Sequence, residues 1–265
     1  MTVAFCFLVY DSVQHAKNWE DLFEGAHESS YTVYAHAKST SRKTQPWLKK
    51  AAIKTVATEW CGIGLVRAHV ALLRRALRDP QNEHFALVSQ SCVPTMTLQE
   101  MQRRIRKDPR TRMYFPAENA PGYMLKGHKS MRAHHSWWLL NRDDAQYICD
   151  TMTDAWIRKE EDRIHALDVG EWYWCFDEYL IGLVLRDRHG EVGSSGFKRH
   201  IRSRPSTFAQ FPNPTAEHPT VWRGVDVVHG DVWQSIVRKG CFFARKFTAS
   251  GAARVRQLVR ARSAA

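Results

Sequence analysis

The segment Cys175-Phe176-Asp177-Glu178-Tyr179-Leu180 places two adjacent carboxylates among aromatic and apolar neighbours. It leads directly into the apolar run Ile181-Gly182-Leu183-Val184-Leu185. A carboxylate at the rim of an apolar element has the surroundings of a general base: burial raises its pKa toward neutrality, and a rigid element fixes its aim. The same pair also suits a helix cap, because acidic side chains at helix starts accept from free N–H groups and face the positive end of the helix dipole. Taken alone, the pair leaves both roles open.

Several other chemistries lack their residues. There is no G-x-G-x-x-G, no G-x-x-x-x-G-K-[ST] and no G-x-S-x-G, so a dinucleotide fingerprint, a P-loop and a nucleophile elbow are all missing. No C-x-x-C or His-Glu-x-x-His occurs, which removes the usual zinc patterns. Asp-x-Asp is absent too. Many nucleotide-sugar enzymes hold a divalent metal with that pair, and an enzyme without it needs another positive group for a diphosphate leaving group.

The formal net charge of +12 calls for a polyanionic partner: nucleic acid, an anionic surface or nucleotide phosphates. Much of the excess is local, in Arg103-Arg104-x-Arg106-Lys107 and in the tail Arg254 to Arg262, and a solvated basic helix face would account for either. No apolar run reaches membrane-spanning length. Residues 3–9 lack a basic region ahead of them and read as a buried first strand rather than a signal peptide. The six cysteines are scattered and are expected to be reduced and mostly buried.

These groups must be positioned by alternating strands and helices. Strands are expected at Thr2–Tyr10, Tyr31–His36, His84–Ser89, Ser136–Leu140 and Thr220–Val228. Helices are expected at Val13–Gly25, Gly62–Arg78, Thr97–Lys107, Asp143–Arg158, from Glu178 to Leu185, at Asp231–Lys239 and in the tail. The apolar spacing of Leu65, Val66, His69, Leu72, Leu73 and Ala76 marks the strongest helix. Thr97 and Glu100 form a capping-box pattern. Residues 108–135 break the pattern with Pro109, Pro116, Pro121, Gly122 and Gly127, a long irregular excursion of the kind that tends to be functional. The expected class is α/β with a mainly parallel sheet flanked by helices. One domain is expected over 1–265, with a core to 247 and a basic helical tail at 248–265.

Four blocks in order then point to a family. They are Thr58-Glu59-Trp60 with Leu65-Val66-Arg67-Ala68 and Ala76-Leu77-x-Asp79-Pro80-x-Asn82; the strand end Ser89-Gln90-Ser91-Cys92-Val93-Pro94; Ser136-Trp137-Trp138-Leu139-Leu140-Asn141-Arg142; and Asp177-Glu178 followed by Phe243-Ala244-Arg245-Lys246-Phe247. Together they resemble the core-2/I-branching β-1,6-N-acetylglucosaminyltransferase family, especially its plant members. The resemblance runs from the first strand to about Phe247. It implies a GT-A-type nucleotide-sugar transferase fold and an inverting, metal-independent enzyme. It also implies Glu178 as the catalytic base and Lys246 as a diphosphate ligand, with Arg223 as the second and Arg245 as a rival for the phosphate. Gln90 and Ser91 fall where relatives contact the acceptor.

The residues themselves add further candidates for the nucleotide and sugar. Tyr10 and Asp11 end the first strand, where nucleotide sites of open α/β sheets lie; Asp11 is equally a helix cap. His36 ends the second strand and either meets the nucleotide or caps a loop. Ser136, Trp137 and Trp138 lie on one strand, so one indole faces the core and the other is free to face the site. Asp177 is expected to be the cap or the orienting neighbour of Glu178.

The chain departs from the family at Gln90, where relatives often carry Glu, at His128-Lys129-Ser130, and at His36, where animal members place Asp. No membrane anchor precedes the first strand, which leads to the expectation of a cytoplasmic protein. The expected partners are a UDP-sugar donor (N-acetylglucosamine, xylose or glucuronate) and a glycan acceptor, with no nucleic acid and no metal or other cofactor. A basic nucleic-acid-binding protein and an inactive glycan-binding relative are the competing readings.

Overall fold

The computed structural model describes residues 1–116, 132–166, 175–211, 219–229 and 231–263. Most of the expected excursion, including Pro121, Gly122, Gly127 and His128-Lys129-Ser130, lies outside the described residues.

The chain runs β1 (Thr2–Val9), α1 (Ala16–Phe23), β2 (Tyr31–Ala37), α2 (Pro46–Lys50), α3 (Ile63–Leu77), β3 (Asn82–Ser89), β4 (Val93–Pro94), α4 (Leu98–Lys107), β5 (Thr111–Met113), β6 (Trp138–Asn141), α5 (Arg142–Thr151), α6 (Asp154–His165), a 3-10 turn (Phe176–Glu178), α7 (Leu180–His189), α8 (Ser195–His200), β7 (Ile201–Arg202), β8 (Thr207–Phe208), α9 (Gly224–His229), α10 (Val232–Lys239), β9 (Phe243–Ala244) and α11 (Ala249–Ser263). A six-stranded sheet has the order β2-β1-β3-β6-β5-β7, and a three-stranded sheet the order β4-β9-β8. In the larger sheet β2, β1 and β3 are parallel, while β6 is antiparallel to both of its neighbours. This is the α/β class expected.

β1 is apolar on both faces because it lies inside the sheet with helices on both sides. Ala4 and Cys6 point into one layer, packed with residues of α3, α5 and α7. Val3, Phe5, Phe7 and Val9 point into the other, where Trp19 of α1 and Phe243 of β9 meet them. The alternation follows from the two-residue period of a strand.

Local chemistry moved several boundaries. The helix expected over Asp143–Arg158 is two helices, because Thr153 caps a new one: its hydroxyl accepts from the Trp156 N–H at 3.2 Å. The first ends where Arg74 donates to the carbonyls of Cys149 and Met152. The strand expected over Thr220–Val228 is reduced to a bridge between Trp222 and Phe247. The chain then enters α9, where the Asp226 carboxylate reaches back to the Arg223 N–H at 2.7 Å, the acidic half of a capping box. At α4 the other half alone forms: Thr97 accepts from the Glu100 N–H at 3.3 Å, while the Glu100 carboxylate binds Arg103 and Arg104.

The cysteines are not all reduced as expected. Cys61 and Cys175 form a disulfide across 114 residues, whereas Cys6, Cys92, Cys149 and Cys241 are free and buried. The basic tail is not a loose appendage either. Gly251, Ala252 and Val255 of α11 are buried, Asn18 donates to the Ala252 carbonyl at 2.9 Å, and Arg260 pairs with Asp21 at 2.8 Å. Gly251 permits this approach, since a Cβ there would lie 2.3 Å from the Trp222 carbonyl oxygen.

A second close approach bears on the site. A Cβ on Gly182 of α7 would lie 2.4 Å from Cδ2 of His134, and the His134 N–H donates to the Glu178 carbonyl at 2.8 Å. Gly182→Ala is therefore expected to displace His134 and to destabilise the fold by about 1–3 kcal/mol, the usual cost of overpacking. Denaturant unfolding of the variant measures it, and an unchanged midpoint would show that α7 shifts freely.

Candidate active site

Three attachments hold the turn that carries Asp177 and Glu178. Cys175 at its start is bonded to Cys61. The Phe176 N–H donates to the Cys61 carbonyl at 3.1 Å, and His134 secures the Glu178 carbonyl as described. Cys61 itself has a positive φ of 58°, an unfavourable backbone state for a non-glycine residue. The surrounding contacts hold it there.

The side chain of Glu178 has its own partner. Ser136, just before β6, donates from its hydroxyl to Oε1 at 3.0 Å. The next residue is fixed as well, since Ser206 donates to the Trp137 carbonyl at 3.1 Å. Burial lifts the Glu178 carboxyl to about 8, and neighbouring Asp177 pushes the same way; Ser136 and Arg245 oppose them. Asp177, buried too, is likewise raised by burial, with Ser136 acting against. Two carboxyls so placed hold on to a proton at neutral pH. The Glu178 carboxylate is held by a hydroxyl, and no side chain caps the helix that follows.

Arg245 supplies the opposite charge. Its guanidinium lies 4.5 Å over the Trp137 ring, and its Nε is buried without a hydrogen-bond partner among the described residues. Burial lowers its pKa, while the Cys92 thiol and Glu178 raise it. Lys246 is half-buried, with its pKa lowered by burial and then by Arg245. Its ammonium forms no ion pair among the described residues. β9 delivers both cations by pairing antiparallel to β4 and parallel to β8.

Arg223 stands differently. It is exposed at the start of α9 and pairs with Asp226 at 3.3 Å. Its link to the site is through backbone: the preceding residue, Trp222, donates its N–H to the Lys246 carbonyl at 2.9 Å.

The strand-end candidates divide. Tyr10, 59% exposed, donates its N–H to Gln90 Oε1 at 2.7 Å, which joins the ends of β1 and β3. Lys38 sits 5.9 Å over the Tyr10 ring. Asp11 caps no helix; Ser12 and Ser41 donate to it and hold its carboxyl below the usual range. His36 is fully buried, with Nε2 on the backbone of Val56, so it fastens a loop and leaves no ring surface for a nucleotide. Ser91 is buried. Trp138 is the core indole, packed edge-on to His69, and Trp137 is the one beneath Arg245.

Sequence reasoning missed Cys61 and His134. Nothing in the cysteine spacing pairs residues 114 apart, and His134 acts through its backbone, which no side-chain pattern reports.

The Core-2/I-Branching enzyme family matches residues 3–175, from β1 to the cysteine two positions before Asp177. The rice (Oryza sativa subsp. japonica) protein Glycosyltransferase BC10 is 26% identical over 98 residues, which is 35% of this chain and 25% of the rice protein. The chain thus matches about a quarter of that relative's length. Among solved structures, the galactosyltransferase LgtC with donor and acceptor sugar analogues is 10% identical with a TM-score of 0.47, covering 98% of this chain and 96% of that one. Mouse xyloside xylosyltransferase 1 is 9% identical with a TM-score of 0.41, covering 91% and 97%. The mainly parallel sheet with helices on both faces is the α/β layout expected. On the match over residues 3–175, the chain belongs to the Core-2/I-Branching enzyme family.

Proposed function

We propose that this protein is an inverting glycosyltransferase that moves a sugar from a UDP-sugar to a glycan hydroxyl without a metal ion. The observation that supports it best is the placement of Glu178, held by Ser136 and facing the charge of Arg245. In a single displacement the acceptor oxygen attacks the anomeric carbon, and its proton passes to Glu178. The bond to the diphosphate breaks with its electron pair leaving on the phosphate oxygen. A carboxylate with a raised pKa is a matched base for an alcohol proton. Charge growing on the leaving diphosphate needs fixed cations. Arg245 and Lys246 are the two nearest in sequence to β9, and a guanidinium fork and an ammonium both suit phosphate oxygens. Arg223 would join them by exchanging Asp226 for phosphate. Tyr10 and Asp11, at the carboxyl end of a parallel strand, fit the nucleoside side, and Gln90 the acceptor side. The donor sugar is N-acetylglucosamine, xylose or glucuronate.

Thermal-shift titration with UDP tests the donor site. UDP is expected to raise Tm with or without EDTA, and Lys246→Ala to weaken UDP. A shift that vanishes with EDTA would remove the metal-free mechanism. Glu178→Gln is expected to keep UDP binding and to lose about 10²–10⁴-fold in transfer, the usual worth of a general base.

The raised pKa gives two pH signatures. The acid limb of kcat/KM is expected near pH 8, and Arg245→Gln moves it upward, because the cation stabilises ionised Glu178. Stability carries the other sign. The folded state binds the Glu178 proton more tightly than the unfolded chain, so this group's contribution falls as pH rises from its unfolded value of about 4.3 toward about 8. Glu178→Gln should therefore gain in Tm relative to the parent across that window; a constant difference would show an unperturbed carboxyl.

A further inference from the structure

A band of positive charge lies along the β5–β7 edge of the larger sheet. Arg112, in β5, stacks at 4.9 Å over Phe242 and spends its guanidinium on the carbonyls of Pro205 and Lys239, each at 3.1 Å. No carboxylate pairs with it among the described residues. Burial lowers its pKa to about 10, with Cys241 acting against and the like charges of Arg204, Arg202 and Arg104 adding to the fall. Their counter-charges are few. Glu100 holds Arg104 at 2.6 Å, and Asp108 is committed to Arg110 at 2.6 Å, with Arg202 at 3.8 Å. Arg204 and Lys239 are exposed and have no ion pair among the described residues. A solvated basic helix face keeps its charges apart along one element. Here α4, β5, β7 and the end of α10 bring theirs together, at a repulsive cost that an anionic ligand would offset.

The band leads to the proposed base. Lys239 acts electrostatically on the half-buried His135, and His135 precedes Ser136, whose hydroxyl holds Glu178. Phe242, beneath Arg112, opens the segment that continues through β9 to Arg245.

We propose that this band binds an acidic glycan, a sugar chain bearing carboxylates or sulfates along its length, and presents the end of that chain to Glu178 as the acceptor. The inference rests on the transferase function above. Guanidinium forks and a lysine point charge match such anions. A single-stranded nucleic acid fits less well, since it is bound by aromatic platforms interleaved with cations. The large exposed aromatics among the described residues, Tyr10 and Trp60, belong to other segments of the chain.

The test titrates the full chain with four labelled probes: a heparin-derived oligosaccharide, an oligogalacturonate, a neutral dextran oligosaccharide and a single-stranded DNA oligonucleotide. UDP affinity is measured in parallel. At least one acidic oligosaccharide is expected to bind, with affinity falling about tenfold between roughly 50 and 200 mM salt, and the dextran is not. The double variant Arg204→Glu/Lys239→Glu, changed only at exposed positions, is expected to weaken acidic-glycan binding at least tenfold with UDP affinity unchanged. Equal binding of dextran, tighter binding of DNA than of either acidic glycan, or full retention by the double variant overturns the inference. If UDP binds and the acidic glycans do not, this inference alone fails. If UDP does not bind, the transferase function fails and the acceptor assignment with it.

Discussion

The guanidinium of Arg245 lies against Trp137, and much of the structure exists to make that contact possible. A buried guanidinium is costly unless its charge is answered. Here an aromatic face answers it, joined by the charge of Glu178 once that carboxyl ionises, with no hydrogen bond to Nε among the described residues. Both sides of the contact are anchored from outside it. Ser206 holds the Trp137 carbonyl, and the Arg245 N–H donates to the Phe208 carbonyl at 2.8 Å. The small β4-β9-β8 sheet thus serves as a bracket. It carries a late segment of the chain back to the point where β6 begins, and the apolar residues of β9 buried beneath it supply the binding free energy that keeps the cation in place.

The carboxylate side shows the opposite balance. Two adjacent acids, both pushed upward by burial, weaken the fold when they ionise. Rigid attachments therefore cluster on the turn that bears them: a covalent bond to Cys61, a backbone hydrogen bond from His134, and a hydroxyl from Ser136. Proteins commonly keep such unfavourable groups where chemistry needs them and compensate in the surroundings. The compensation is local here, and it reaches into α7 through the contact of His134 with Gly182.

Much of this was visible in the residues. The apolar runs of β1 and β3 and the i, i+3, i+4 spacing of α3 reported their elements because burial on fixed faces imposes that pattern. Asp177, Glu178, Trp137 and Arg245 stood out by type and neighbourhood. What stayed hidden depended on contacts distant in sequence. The Cys61–Cys175 bond joins elements that spacing cannot relate. His36 looks like a strand-end ligand until the Val56 backbone is seen lying on it. Arg223 looks like a strand residue because Val221, Trp222 and Val225 favour strands, yet the Asp226 carboxylate reverses that preference by capping a helix. At Asp143–Arg158 the break was encoded in Thr153-Asp154, a cap signal inside an otherwise unbroken helical pattern.

The order of the bracket's parts along the chain has a consequence for biosynthesis. Ser136, Trp137 and Glu178 leave the ribosome well before Arg245 and Lys246. A nascent chain can therefore assemble β1 to β3 and seat its acidic turn while the position beside Trp137 stands empty. At that stage Glu178 lacks the Arg245 charge that opposes the rise of its pKa. Arg245 arrives with the pairing of β9 between β4 and β8, and the same pairing closes the core over Trp19. Completion of the chain, closure of the core and the meeting of Arg245 with Trp137 are thus coupled through one small sheet.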